Sequence, residues 1–191
     1  SNIKCIYIRQ NQALGLGHAV LCAKPAVGNN PFAVILADDM ILSNTNGCLK
    51  QMAEKYIELN SSIIAVEKVK KEHLHKYGII QGSKINQSDW ELKNIVEKPE
   101  IENAPSDMGV VGRYILNASI FDILENTKKG AGEEIQLTDA LASQITKEKV
   151  YAYEFEGKRF DCGNKLGFLK ATIEYGLHHG ELSKDLKDYL K

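Results

Sequence analysis

The four cysteines, Cys5, Cys22, Cys48 and Cys162, form no CxxC pair, and zinc-ribbon and thioredoxin-type readings fail on that spacing. Reduced thiols in a cytoplasm are the expectation. No apolar run approaches the roughly 18 residues of a spanning helix, and the first residues lack the charged and apolar regions of a secretory leader. A cytoplasmic location with no membrane partner is therefore expected. Charge of neither sign dominates, because 24 basic residues against 25 acidic ones leave a net charge of -1. Nucleic acid is not favoured as a partner, and any anionic ligand must be caught locally. Also missing are linkers, repeats, low-complexity stretches and the GK[ST] ending of a P-loop.

What is present is an ordinary globular composition, 43% hydrophobic and 26% charged over 191 residues, enough for one sizeable core without disulfides or metals. A single domain over 1–191 is expected, ending in a helical segment over 164–191. The order of signals begins with a strand over Ile3–Arg9, a helix from Leu16 to Lys24 and a buried strand over Phe32–Leu36. That βαβ order implies parallel strands. A helix with apolar residues Leu49, Met52, Ala53, Tyr56 and Ile57 leads to the strand Ser62–Val66, a second crossover. Strands over 78–81, 91–97 and 110–116 are then joined by polar loops, an antiparallel excursion. Helices follow over 118–126 and 138–145, the second with Thr138 as N-cap. A strand over 150–156 and a final helix with Leu166, Leu169, Ile173 and Leu177 on one face complete the pattern. The fold class is α/β, a mixed, mainly parallel sheet flanked by helices.

Four constellations carry chemistry. Asp38 and Asp39 directly follow the strand Phe32–Leu36, and in open α/β sheets ligands sit outside the carboxyl ends of strands. Asp38 is placed to hold a metal ion or a hydroxyl, with a turn or capping role as the plainer alternative that Asp39 keeps. Asp161, in Arg159-Phe160-Asp161-Cys162-Gly163, is a second strand-end acid; the two can share a magnesium ion whose shell phosphate oxygens complete. Alone it reads as a turn aspartate. In Val96-Glu97-Lys98-Pro99 the proline is expected to hold Lys98 extended, offering an ammonium to phosphate and a carboxylate to sugar hydroxyls. A surface ion pair is the alternative. Gln10 precedes Gly15-Leu16-Gly17-His18, where glycines before a helix let a base or phosphate approach the backbone and Gln10 offers both donor and acceptor to a base edge. His73 and His75, among Lys70, Lys71 and Glu72, read as a solvated face.

In order along the chain, QNQALGLGHAV from Gln10, FAVILADD from Phe32, YGII from Tyr77, VEKP from Val96, VGRYIL from Val111, GAGEEIQLTDAL from Gly130 and KRFDCGNKLGFLKAT from Lys158 resemble bacterial UTP–glucose-1-phosphate uridylyltransferases. The resemblance implies a Rossmann-like sugar-nucleotidyltransferase fold and the formation of UDP-glucose and pyrophosphate from UTP and glucose 1-phosphate with Mg2+. It implies Gln10 and Gly15 as uracil contacts, Asp38 and Asp161 as the metal pair, Lys98 as the sugar-phosphate ligand, and Gly78, Glu97 and Val110 around the glucose. The family's glycine-rich nucleotide loop has no counterpart upstream of Ile3, so the fold is expected to be incomplete at the N-terminus. Little or no turnover by this chain alone is then expected, with open strand edges that pair as a homo-oligomer. Two other readings stay open: a magnesium-dependent glycosyltransferase and a non-catalytic oligomerisation fragment.

Overall fold

A computed structural model describes residues 3–191. Its centre is β3 (Ser62–Lys68), whose first five residues are all buried. Successive side chains of a strand point to opposite faces, and here both faces are covered. Ile63 and Ala65 pack with Cys48 and Met52 of α3 (Cys48–Leu59). Ile64 and Val66 pack with Val20 of α1 (Leu16–Cys22), Ile120 and Phe121 of α4 (Ser119–Asn126) and Leu137 and Leu141 of α5 (Leu137–Ile145). Full burial of each such side chain contributes about 1.5–3 kcal/mol, so β3 reads as a continuous apolar run rather than an alternation. α3 stops where Asn60 adopts left-handed backbone (φ 47°) and donates its N–H to Tyr56 O at 2.7 Å.

Six strands form the sheet in the order β1-β6-β3-β7-β5-β4, where β1 is Phe32–Ile35, β4 Gly78–Lys84, β5 Asp89–Glu97, β6 Met108–Leu116 and β7 Val150–Glu154. It is mixed and flanked by helices, but only β3 and β7 pair in parallel; the other pairings are antiparallel. The expectation of a mainly parallel sheet is corrected here. β1 and β3 do run the same way, as their crossover through α3 requires, but the long strand β6 inserts antiparallel between them. A second, two-stranded sheet pairs β2 (Asp39–Leu42) with β8 (Lys158–Asp161), with Asp39 opposite Asp161. Neither was distinguished as a strand in the sequence pattern.

Residues 3–9 form no strand and are exposed, because no described strand takes up their backbone groups. β1 alternates between half-buried and exposed residues, with Ile35 exposed, so it is an edge strand rather than a buried one. Gln136, not Thr138, is the N-cap of α5. α2 (Lys24–Val27) follows α1 as a separate turn. In α6 (Lys165–His178) the side packed against the body carries Ala171 and Tyr175, while Leu166 and Leu169 are exposed and Ile173 and Leu177 half-buried. Ile57 of α3 is likewise exposed. Packing Gly176 against Leu186 seats α7 (Ser183–Tyr189) on α6. No helix among the described residues is long and apolar enough to cross a membrane.

Candidate active site

A cleft of about 260 Å³ opens where the carboxyl ends of β1, β5 and β8 meet the start of α5. Asp38 and Asp161 form one wall. The Cys162 N–H donates to Asp38 O at 2.7 Å, joining the two loops. Asp161 Oδ1 and Asp38 Oδ2 lie 3.1 Å and 3.4 Å from the single point where a Cβ on Gly163 would sit, so two acids 123 positions apart converge beside a residue that has no side chain. Asn164 fixes this loop from behind, accepting the Gly167 N–H at 2.8 Å as the N-cap of α6 and donating to Asp161 O at 3.0 Å. Both carboxylates are exposed, and among the described residues neither is in an ion pair.

Such a pair of hard oxygen donors suits a cation that keeps much of its shell for water and phosphate, as Mg2+ does. Among the described residues no group of three or more His, Cys, Asp or Glu gathers as a closed metal cage would need. Asp39 behaves differently from its neighbour. It is buried, accepting Gly112 N–H at 2.6 Å on one oxygen and Arg159 Nε at 2.5 Å on the other. Arg159 also donates to Glu67 at 2.8 Å and to the Tyr77 hydroxyl at 3.2 Å, with its guanidinium over the Tyr77 ring. Burial works against its charge, but the Tyr77 and Asp39 bonds outweigh it and hold Arg159 protonated far above ordinary conditions. Asp39 and Arg159 thus floor the cleft as a structural pair.

The opposite wall is the β4–β5 hairpin, where Gly78 and Glu97 are direct cross-strand partners. Glu97 Oε2 accepts the Thr138 hydroxyl at 2.6 Å, and a Cβ on Gly78 would stand 3.3 Å from each. Val110 and Tyr114 of β6 supply the base; burial, reinforced by Glu97 and Asp39, pushes the Tyr114 phenol well up, so it stays a proton donor. Burial and then Glu97 also raise the Asp139 carboxyl.

Asp38, Asp161, Gly78, Glu97 and Val110 therefore meet in one cleft. Lys98 does not line it. Its ammonium lies 3.6 Å from Glu97 Oε1 at the rim, and its backbone is left-handed (φ 44°) rather than extended. The Lys98 N–H donates to Tyr77 O at 3.0 Å, prolonging the β4–β5 ladder, and the chain must then turn out of the sheet. Gln10 and Gly15 stand together in the turn before α1, next to Leu16, which reaches the cleft. Gly15 (φ 94°) and Gly17 sit against the Glu134–Gln136 segment: a Cβ on Gly15 would stand 2.7 Å from the Glu134 side chain and 3.0 Å from Ile135 O, and one on Gly17 2.7 Å from Ile135 O, so packing within the fold also requires both to be small. Lys76, Thr138 and Arg159 line the cleft without having been expected as site residues. Lys76 was hidden in a charged run that reads as solvated, and Arg159 beside Asp161 gave no sign of its burial.

Strand-end acids in a mixed, helix-flanked sheet face a hairpin glutamate across one cleft, an α/β architecture whose ligand sites lie at the carboxyl ends of strands. A nucleotidyl transferase family model matches residues 1–176, and the chain belongs to that family. It is 48% identical over 185 residues to a UTP–glucose-1-phosphate uridylyltransferase of Staphylococcus epidermidis, covering 97% of this chain and 64% of that protein. The Bacillus subtilis UTP–glucose-1-phosphate uridylyltransferase YngB is 46% identical, with 97% and 62% covered. Among solved structures, a UDP-glucose pyrophosphorylase complexed with UDP-glucose superposes with a TM-score of 0.88 at 46% identity, over 91% of this chain and 66% of that one. The UTP-bound enzyme of Acinetobacter baumannii gives 0.86 at 42% identity, over 96% and 64%. The chain spans about 64% of the length of the curated relatives it matches.

Proposed function

We propose that this chain carries the metal and sugar-phosphate side of a UTP–glucose-1-phosphate uridylyltransferase, making UDP-glucose and pyrophosphate with Mg2+. The observation that carries the reading is the convergence of Asp38 and Asp161 beside Gly163, across one cleft from Glu97 and Gly78. In the reaction a phosphate oxygen of glucose 1-phosphate bonds to the α-phosphorus of UTP as the bond to the pyrophosphate oxygen breaks. The nucleophile is already an anion, so no general base is required, and catalysis is positioning and charge neutralisation. Asp38 and Asp161 would hold the cation, which would offset phosphate charge.

Glu97, held by Thr138, accepts sugar hydroxyls, with Gly78 and Val110 leaving room for the ring. Lys98, on an exposed stem, swings from Glu97 to the sugar phosphate, and Lys76 adds a second ammonium. Gln10 and Gly15 meet the uracil. The free cysteines suit a cytoplasmic setting, and the open edge of β1 suits pairing with a second copy, read by sedimentation.

Calorimetric titration of the chain with UDP-glucose, with and without Mg2+, tests the reading. Saturable binding that strengthens with Mg2+ and weakens in Asp161→Asn is expected. No binding sinks the assignment, and transfer of glucose to an acceptor, in place of UTP formation with pyrophosphate, would move it to a glycosyltransferase.

A further inference from the structure

We propose that His18 is a positioning residue that fixes Gln10 as a hydrogen-bond acceptor toward the nucleobase, favouring a pyrimidine that carries a hydrogen on N3, as uracil does, over cytosine, whose N3 is a lone pair. This rests on the reading of Gln10 as a base contact.

The side-chain nitrogen of Gln10 lies 3.0 Å from Gly15 O. A carbonyl can only accept, which settles which end of the amide points inward. The same nitrogen lies 3.0 Å from His18 Nδ1, and its second hydrogen is therefore donated to that ring nitrogen. His18 is then neutral with its proton on Nε2, which faces Cys22 Sγ at 3.9 Å. With both amide hydrogens committed, Oε1 is what remains for a ligand, and among the described residues it has no partner.

One bond to Gly15 O alone would leave the amide free to turn about its terminal torsion, which is broad; the second bond removes that freedom. His18 is itself held by the fold. α1 is tied to the cleft wall through Gly17 N–H to Ile135 O at 2.8 Å and is anchored by Val20 in the core. The selectivity of the amide thus comes from a residue that need not touch the ligand, since a site offering only an acceptor leaves an unmatched lone-pair contact against cytosine.

The test uses the full chain. Ring nitrogen shifts of ligand-free protein should show His18 unprotonated at Nδ1. Affinities for UDP-glucose and CDP-glucose are then compared by calorimetry in the parent, His18→Phe, His18→Asn and Gln10→Ala. His18→Phe should cut the preference for UDP-glucose about tenfold without lowering the thermal midpoint. His18→Asn, whose Oδ1 sits where Nδ1 did, should restore it. A proton on Nδ1, or an unchanged preference in His18→Phe while Gln10→Ala loses affinity, overturns the lock but leaves Gln10 as a base contact. Unchanged UDP-glucose binding in Gln10→Ala overturns both.

Discussion

Arg159 donates through Nε to the Asp39 carboxylate at 2.5 Å, and both side chains are more than nine-tenths buried, at 9% and 8% exposure. Taking two charges out of water is costly, and the pair is retained because each is fully bonded: Asp39 by Gly112, Arg159 by Glu67 and Tyr77. Arg159→Met leaves Asp39 buried without a counter-charge. It should lose about 3–5 kcal/mol of stability, measured by urea unfolding at neutral pH. Arg159→Lys should recover only part of this, because one ammonium cannot span Asp39, Glu67 and Tyr77 together.

Asp38 and Asp161 differ from Asp39 in being exposed and, among the described residues, outside any ion pair; Asp161 Oδ1 accepts the Gly163 N–H at 3.0 Å, a bond that an amide oxygen can keep. Asp38→Asn and Asp161→Asn should change stability by no more than about 0.5 kcal/mol. Either should nonetheless abolish the Mg2+ dependence of UDP-glucose binding in calorimetry. A large fall in the unfolding midpoint would return both acids to a structural role.

Asp89 gives the fold an acid limit. Burial opposes its charge, but Lys55 at 2.9 Å and Asn86 at 2.7 Å outweigh that and hold the carboxyl below the usual carboxylate range. A depressed folded-state value contributes stability that is present above the unfolded value, about 3.9, and is lost as pH falls through the folded one. Asp89→Asn should therefore cost about 1–3 kcal/mol at pH 7. Its deficit against the parent should shrink as urea midpoints are followed below about pH 4.

Much of this was legible in the residues. β3 and α3 announced themselves because apolar period and burial agree there, and the strand-end acids Asp38 and Asp161 line one cleft with Gly78, Glu97 and Val110, which the family resemblance implied around the sugar. Direction was legible only in part. The polar loops between 78 and 116 announced the antiparallel pairing of β4 with β5 and β6, but the insertion of β6 between β1 and β3 rests on long-range register that no local pattern carries. Residues 3–9 alternate like a strand yet find no strand to pair with among the described residues. Lys98 shows how local rules yield to tertiary ones: the residue before a proline prefers extended backbone, but the bond from Lys98 N–H to Tyr77 O and the turn at the sheet's end impose φ 44°. Arg159 looked like any basic neighbour of an acid, since burial of a guanidinium depends on what folds over it.

Gly167 is where α6 and the Asp161 loop press closest. A Cβ there would overlap the carbonyl oxygen of Asp161, and the Gly167 N–H is the one that Asn164 caps. A backbone carbonyl cannot rotate aside as a side chain can, so Gly167→Ala must either lift the start of α6 or displace Asp161. Elsewhere in a helix glycine to alanine stabilises by up to about 1 kcal/mol; here overpacking should reverse the sign and cost about 1–3 kcal/mol. The displaced carboxylate should also weaken Mg2+-dependent UDP-glucose binding. Asn164→Ala, which removes the cap without adding bulk, should lose about 1 kcal/mol and retain more of the Mg2+ response than Gly167→Ala. If Gly167→Ala binds as the parent does, the tight seam between α6 and Asp161 is not what positions the metal ligand.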